Sequence, residues 1–137
     1  MPAADRQTAA NTQGPLITIL VAGTAIPLPN GQLLSGVTVG SGNTVFTVTN
    51  AGRYRLSYQI NTTLSLLLGS RLLINGSPNT ASTITPVVSL SNYSNEIEID
   101  LTAGSTITLQ MFAPLLAGAA TLLSNACGAA LMIIRLQ

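Results

Sequence analysis

Polar and apolar residues alternate along much of this chain with a period of two, the spacing of a β-strand with one buried face. The longest such run covers residues 53–64. Tyr54, Leu56, Tyr58, Ile60, Thr62 and Leu64 fall on one side, and Arg53, Arg55, Ser57, Gln59, Asn61 and Thr63 on the other. Glu96, Glu98 and Asp100 alternate with Ile97, Ile99 and Leu101, and Thr106, Thr108 and Gln110 with Ile107, Leu109 and Met111. Further strands are predicted over 33–39, 44–48, 70–74 and 83–90. Two apolar runs, 16–22 and 129–136, lack a polar face and read as strands covered on both sides.

Turn residues separate these runs. Pro27, Pro29, Asn30 and Gly31 form one bend, and Asn50-Ala51-Gly52 another. Asn75-Gly76 is a strong signal for a tight hairpin. About ten strands spaced about ten residues apart, with no helical periodicity, predict an all-β antiparallel sandwich or barrel. The path of the Gly/Ala-rich stretch 113–126 is not predicted. Residues 1–15 are small, polar and aperiodic. They read as a flexible leader or linker, with 16–137 as the single domain. Gln13-Gly14-Pro15 could close a Gly-X-Y repeat, but an ordinary turn accounts for it as well.

Composition changes the picture of the surface. Charged residues are 7% of the chain, hydrophobic residues 47% and aromatic residues 4%. His, Trp and Lys are absent, and the five basic residues are all Arg. A monomer of this mass exposes roughly 6,700 Å², and nine charges cover that area thinly. The apolar remainder needs a partner. A membrane is a poor fit, because the longest apolar stretch, 112–123, is interrupted by Pro114 and Gly118 and falls short of the ~20 residues of a spanning helix. No basic segment followed by an apolar one marks a secretory signal. A net charge of +1 gives no footprint for nucleic acid. Self-association is the remaining sink for the apolar surface. The runs Leu64, Leu66, Leu67, Leu68 and Leu115, Leu116, Leu122, Leu123 are the expected contact patches.

Chemistry is sparse. Without His there is no Ser-His or Cys-His nucleophile. Glu96, Glu98 and Asp100 point the same way along one strand. That suits a solvated charged face better than two carboxylates across a cleft or a wrapped calcium cage. No cofactor or metal is expected. Cys127 is a lone cysteine, expected to be a small buried hydrophobe. Asn61, Asn75 and Asn92 fit the acceptor pattern for N-glycosylation, a pattern that arises often by chance in a chain this rich in Ser, Thr and Asn. Tyr93 is read as the one loop aromatic able to line a ligand site.

Three segments carry a family resemblance: Asn50-Ala51-Gly52-Arg53-Tyr54-Arg55-Leu56-Ser57-Tyr58, Leu72-Leu73-Ile74-Asn75-Gly76-Ser77-Pro78, and the terminal Ala129-Ala130-Leu131-Met132-Ile133-Ile134-Arg135-Leu136. In order and spacing they resemble the C1q/tumour-necrosis-factor-like jelly roll, and more narrowly the C-terminal domain of BclA-type collagen-like exosporium glycoproteins. The resemblance spans about 16–137. The Gly-X-Y repeats are absent, and aliphatic residues replace the aromatics that many C1q-like domains carry in the final strand. The resemblance implies a two-sheet jelly roll that assembles as a homotrimer. It also implies a non-enzymatic head that nucleates and caps a collagen-like filament on a spore or bacterial surface, with other exosporium or basal-layer proteins as further partners. A lectin-like or receptor-binding head, taking a glycan or a host receptor, is the alternative. In that topology strand 53–64 lies beside strand 95–101, so Arg53 and Arg55 are expected to share a sheet face with Glu98 and Asp100 and to pair with them.

Overall fold

A computed structural model describes residues 5–137 as two stacked antiparallel sheets. Thirteen strands are described: β1 Arg6–Gln13, β2 Leu16–Ile19, β3 Thr24–Ala25, β4 Asn30–Ser35, β5 Val37–Val39, β6 Phe46–Val48, β7 Gly52–Leu66, β8 Gly69–Ile74, β9 Ser77–Pro78, β10 Leu90–Leu101, β11 Thr106–Phe112, β12 Gly118–Thr121 and β13 Ser124–Arg135. One 3-10 turn, Thr80–Ser82, is capped by the Asn79 side chain. The first sheet has the order β10-β7-β13-β1-β4. The second runs β5-β6-β11-β8-β9, with β3 also on β11, and β12 pairs with β2 as a separate ribbon.

The alternation of β7 builds the core. Tyr54, Leu56 and Ile60 are fully buried, and Tyr58 nearly so, against Phe46, Leu72, Ile107, Leu109 and Met111 of the opposite sheet. The buried tyrosine hydroxyls keep partners. Tyr58 OH donates to Ser82 O at 2.6 Å and bonds Ser70 Oγ at 2.9 Å, and Tyr54 OH donates to Asn50 O at 2.7 Å. Burial pushes both phenols above their ordinary pKa. The Asn75-Gly76 hairpin forms as expected, with both residues at positive φ (53° and 81°), the geometry a two-residue type I′ turn requires.

Several expectations need correction. Residues 6–13 are a strand inside the first sheet, between β13 and β4, so within the described residues the leader is part of the domain; 1–4 lie outside them. The inward face of β1 is Gln7, Ala9 and Asn11, which shows no apolar period. Its buried amides are held by backbone carbonyls instead: Gln7 Nε2 donates to Leu131 O at 2.9 Å, and Asn11 Nδ2 to Pro27 O at 3.0 Å. The run 16–22 ends as a strand at Ile19, and Leu16, Leu20 and Val21 are exposed, because its partner is the short ribbon strand β12. Residues 83–89 form no strand, and Leu90 opens β10. Ile84 makes one bridge to Ser70, and Pro86, lacking an N–H, cannot extend a ladder. The terminal strand is covered on one side only; Met132 is 44% exposed.

Both ends of the described chain lie together at one end of the sandwich. Arg135 N–H donates to Asp5 O at 2.9 Å, and Arg53 N–H to Gln137 O at 2.8 Å. β7 starts beside them and runs to the opposite end. At that far end β11 closes against β8, where Gly69 is buried opposite Phe112. A Cβ on Gly69 would run into the Phe112 ring, which itself stacks under the Arg71 guanidinium at 4.2 Å. Gly69→Ala is therefore expected to destabilise the protomer by roughly 1–3 kcal/mol. A lowered urea midpoint with unchanged slope would register it, and a midpoint equal to wild type would show that Phe112 moves aside freely.

Candidate functional site

The outward face of the first sheet carries the most organised chemistry of the described residues. β10 and β7 pair with Glu98 opposite Arg55 and Asp100 opposite Arg53. β7 pairs with β13 so that Ser57 meets Met132 and Arg55 meets Ile134, and β13 pairs with β1 so that Met132 meets Thr8. A row across the sheet thus passes from carboxylate through guanidinium or hydroxyl to aliphatic side chains. The charged half lies on the edge strand and its neighbour. The apolar half lies on central β13 and extends to Leu33 of β4, which is 71% exposed.

The charged half is closed on itself. Arg53 Nε donates to Asp100 Oδ1 at 2.9 Å, and Nη2 to Oδ2 at 3.3 Å, a two-point pair. Arg55 lies 3.3 Å from Glu96 and 3.9 Å from Glu98, a charge contact with two carboxylates; its Nε, though near Glu96, makes no directed hydrogen bond. The hydrogen bond from Arg53, reinforced by its charge, holds the Asp100 carboxyl below its usual range and raises Arg53 in turn. Further along β7 and β10 the ladder turns to amides. Asn92 Nδ2 donates to Asn61 Oδ1, and Asn61 Nδ2 to Cys127 O at 2.9 Å. Between the two halves lies a depression of about 420 Å³, lined by Thr8, Ser57, Gln59, Ser94, Glu96 and Met132 among others. A smaller hollow of about 200 Å³ adjoins it, lined by Arg6, Gln7, Thr8, Leu33, Met132 and Ile134.

The other residues singled out from sequence have different fates. Tyr93 is not in a loop. It sits on β10, fully buried, with its OH donating to Leu66 O at 2.9 Å and Leu90 O at 3.2 Å, and burial raises its pKa. The signal was available: Tyr93 shares the parity of Ile97, Ile99 and Leu101. Leu68 and Leu122 are also core residues, at 5% and 1% exposure, so they leave the set of contact leucines. Leu66 and Leu123 are half-buried, while Leu64, Leu67, Leu115 and Leu116 stand in solvent. Leu64 leaves the core face because the β10–β7 register shifts between Leu90–Leu66 and Asn92–Asn61, which gives β7 extra residues that bulge outward. Cys127 is half-buried rather than buried, and its thiol is raised by desolvation. The face missed by sequence reasoning is the row Leu33, Thr8, Met132 and Ile134, which depends on β1 being a strand. Among the described residues no helix is long and apolar enough to cross a membrane, and no cluster of three or more His, Cys, Asp or Glu is placed to hold a metal.

Comparison with known proteins agrees with this architecture. The family model described as the BclA C-terminal domain matches residues 7–137, which takes in β1 and everything after it. The chain belongs to the BclA C-terminal domain family. Solved structures similar to it include murine APRIL (TM-score 0.68, 16% identity, 98% of this chain and 100% of that one). Eiger TNF from S. frugiperda (0.63, 12%, 98% and 94%) and GITRL from bushbaby (0.61, 14%, 98% and 95%) are similar too. At these identities the likeness is one of fold, the two-sheet C1q/TNF-like jelly roll. No curated protein sequence matches. Family and fold are of structural or ligand-binding kind.

Two outcomes are expected of this BclA-type domain. Tyr93→Phe keeps the fold at a cost of roughly 0.5–1.5 kcal/mol for the lost hydroxyl bonds, whereas Tyr93→Ala costs roughly 3–5 kcal/mol through the cavity. Chemical denaturation of both separates them: a Tyr93→Phe variant as stable as wild type would reject the hydrogen-bond role, and equal losses would reject the packing role. Because the folded Asp100 pKa is lowered, the stabilisation from its pair with Arg53 is complete above the ordinary carboxylate pKa of about 3.9 and is lost as pH falls through the lower folded value. The stability gap between wild type and Asp100→Asn, small because the pair is exposed, is expected to close as the pH is taken below about 4. A gap that persists in acid would show that Asp100 acts through something other than its charge.

Proposed function

We propose that this domain is a non-enzymatic, homotrimeric head of a collagen-like filament on a spore surface, the exosporium, and that its outward sheet face is the surface through which three copies meet. The observation that carries the trimer is the apolar half of that face. Met132, Ile134 and Ala130 sit on the central strand of the first sheet, flanked by exposed Leu33, with no element among the described residues over them. A contiguous apolar patch left exposed on a sheet face marks a contact surface. Nine charges over 6732 Å² of protomer surface leave contact with like copies as the way to take that area out of water. Arg53 and Arg55 of the same face lie against carboxylates within the protomer, so an approaching copy meets that half already neutralised, with Arg6 beside Ile134 in the apolar half.

A trimeric head has a simple mechanism. Cyclic symmetry places equivalent parts of all three copies at the same height. The three copies of Asp5–Arg6 would then lie side by side, which raises the local concentration of any collagen-like segments joined through them and favours their registration. Membership of the BclA C-terminal domain family supports the exosporium setting. A ligand-binding head of the same fold loses its lead residue, since Tyr93 is inside the core.

Light scattering coupled to size exclusion tests the trimer. A mass of about 42 kDa, three times the 14.1 kDa chain, is expected at micromolar concentration, and about 14 kDa for Met132→Lys, which sets a charge in the middle of the apolar half. A wild-type mass of 14 kDa would remove the trimer.

A further inference from the structure

We propose that two such heads dock tip to tip, through a leucine patch at the end of the sandwich opposite the two chain ends. The proposal rests on the trimer above for its three-fold valency. β7 spans the distance: its 15 residues run from the chain ends at Gly52 to Leu66, about 50 Å at about 3.3 Å per residue. There Leu67, Leu115 and Leu116 are 48%, 85% and 82% exposed, and Leu64 on the adjoining bulge is 70% exposed. Together with Leu66 and Pro114, three of these line an apolar groove of about 360 Å³.

Three features select a second copy as the occupant. None of the nine charged residues falls in 62–69, 84–92 or 112–124, the stretches that meet at this end. The Arg71 guanidinium, stacked on Phe112 beside this patch, is held by Gln110 Oε1 and Ala22 O, and a patch without a run of like charges does not repel its own copy. The patch also offers both halves of a contact, the outstanding Leu115 and Leu116 side chains and the hollow beside them, as a two-fold contact between identical surfaces demands. Area decides the valency. At on the order of 100 Å² per fully exposed leucine side chain, one protomer presents roughly 300 Å² of this surface. That falls well short of the roughly 800 Å² per partner of a stable interface. Three copies presented at one end of a cyclic trimer reach that size, and two trimers joined tip to tip form a closed assembly. On filaments that all point outward from one surface, such a contact joins heads that face each other from two surfaces.

The full chain and Leu115→Ser/Leu116→Ser, both changes at residues outside the core, are compared by light scattering from micromolar to millimolar concentration. Circular dichroism confirms that the variant is folded. Wild type is expected to rise from about 42 to about 85 kDa with concentration, in high salt as in low, and the folded variant to stay at about 42 kDa. A wild type near 14 or 28 kDa would remove the trimer, and with it the three-fold valency on which the docking rests. Three results would overturn the docking: a wild type that never exceeds 42 kDa, masses that grow without limit, or a folded variant that falls to 14 kDa. The last would assign these leucines to the trimer contact.

Discussion

Packing of the inward side chains of β7 against the second sheet is the constraint on which the rest of this domain depends. Tyr54, Leu56, Tyr58 and Ile60 leave no room for either sheet to slip, because a one-residue shift of a strand with period two turns its whole apolar set to solvent. The same register fixes what points outward. With Tyr58 inside, Arg53, Arg55, Ser57 and Gln59 have to line the outer face. Pairing to β10 and β13 then sets Asp100 and Glu98 on one side of them and Ile134 and Met132 on the other. The divided outer face is a consequence of the core.

That division has a physical logic. Exposed ion pairs contribute little to stability, so the arginine–carboxylate ladder is a weak account of why the protomer stands. Its clearer effect is to neutralise the charges of β7 and β10 beside the aliphatic strip. Low overall charge works in the same direction. It denies the protomer a well-solvated exterior and makes contact with like copies the available way to cover apolar area. The distal leucines extend this principle to the far end of the sandwich, where the stretches 62–69, 84–92 and 112–124 carry no charged residue.

The all-β class, the long β7, the Asn75-Gly76 turn and the charge pairing of β7 with β10 were legible in the chain, because each is written in local periodicity, turn chemistry or family resemblance. β1 was not. Its buried positions are Gln7, Ala9 and Asn11, and a buried amide is acceptable only when distant carbonyls, here Leu131 O and Pro27 O, are there to receive it. No window of local sequence contains those partners. Losing β1 hid half of the candidate surface, since Thr8 and Leu33 reach the outer face only once β1 bridges β13 and β4.

Composition and pattern alone determined that the chain builds stacked sheets, lacks the usual nucleophile chemistry and is short of charge. These depend on residue identity and short-range spacing, which the chain carries with it. Which leucines end inside, that Tyr93 is a core residue and not a loop residue, and that an apolar strip lies beside a self-neutralised ladder were decided only by the tertiary structure. Burial is a property of what packs over a side chain, and in an antiparallel sandwich that cover comes from strands far away in sequence.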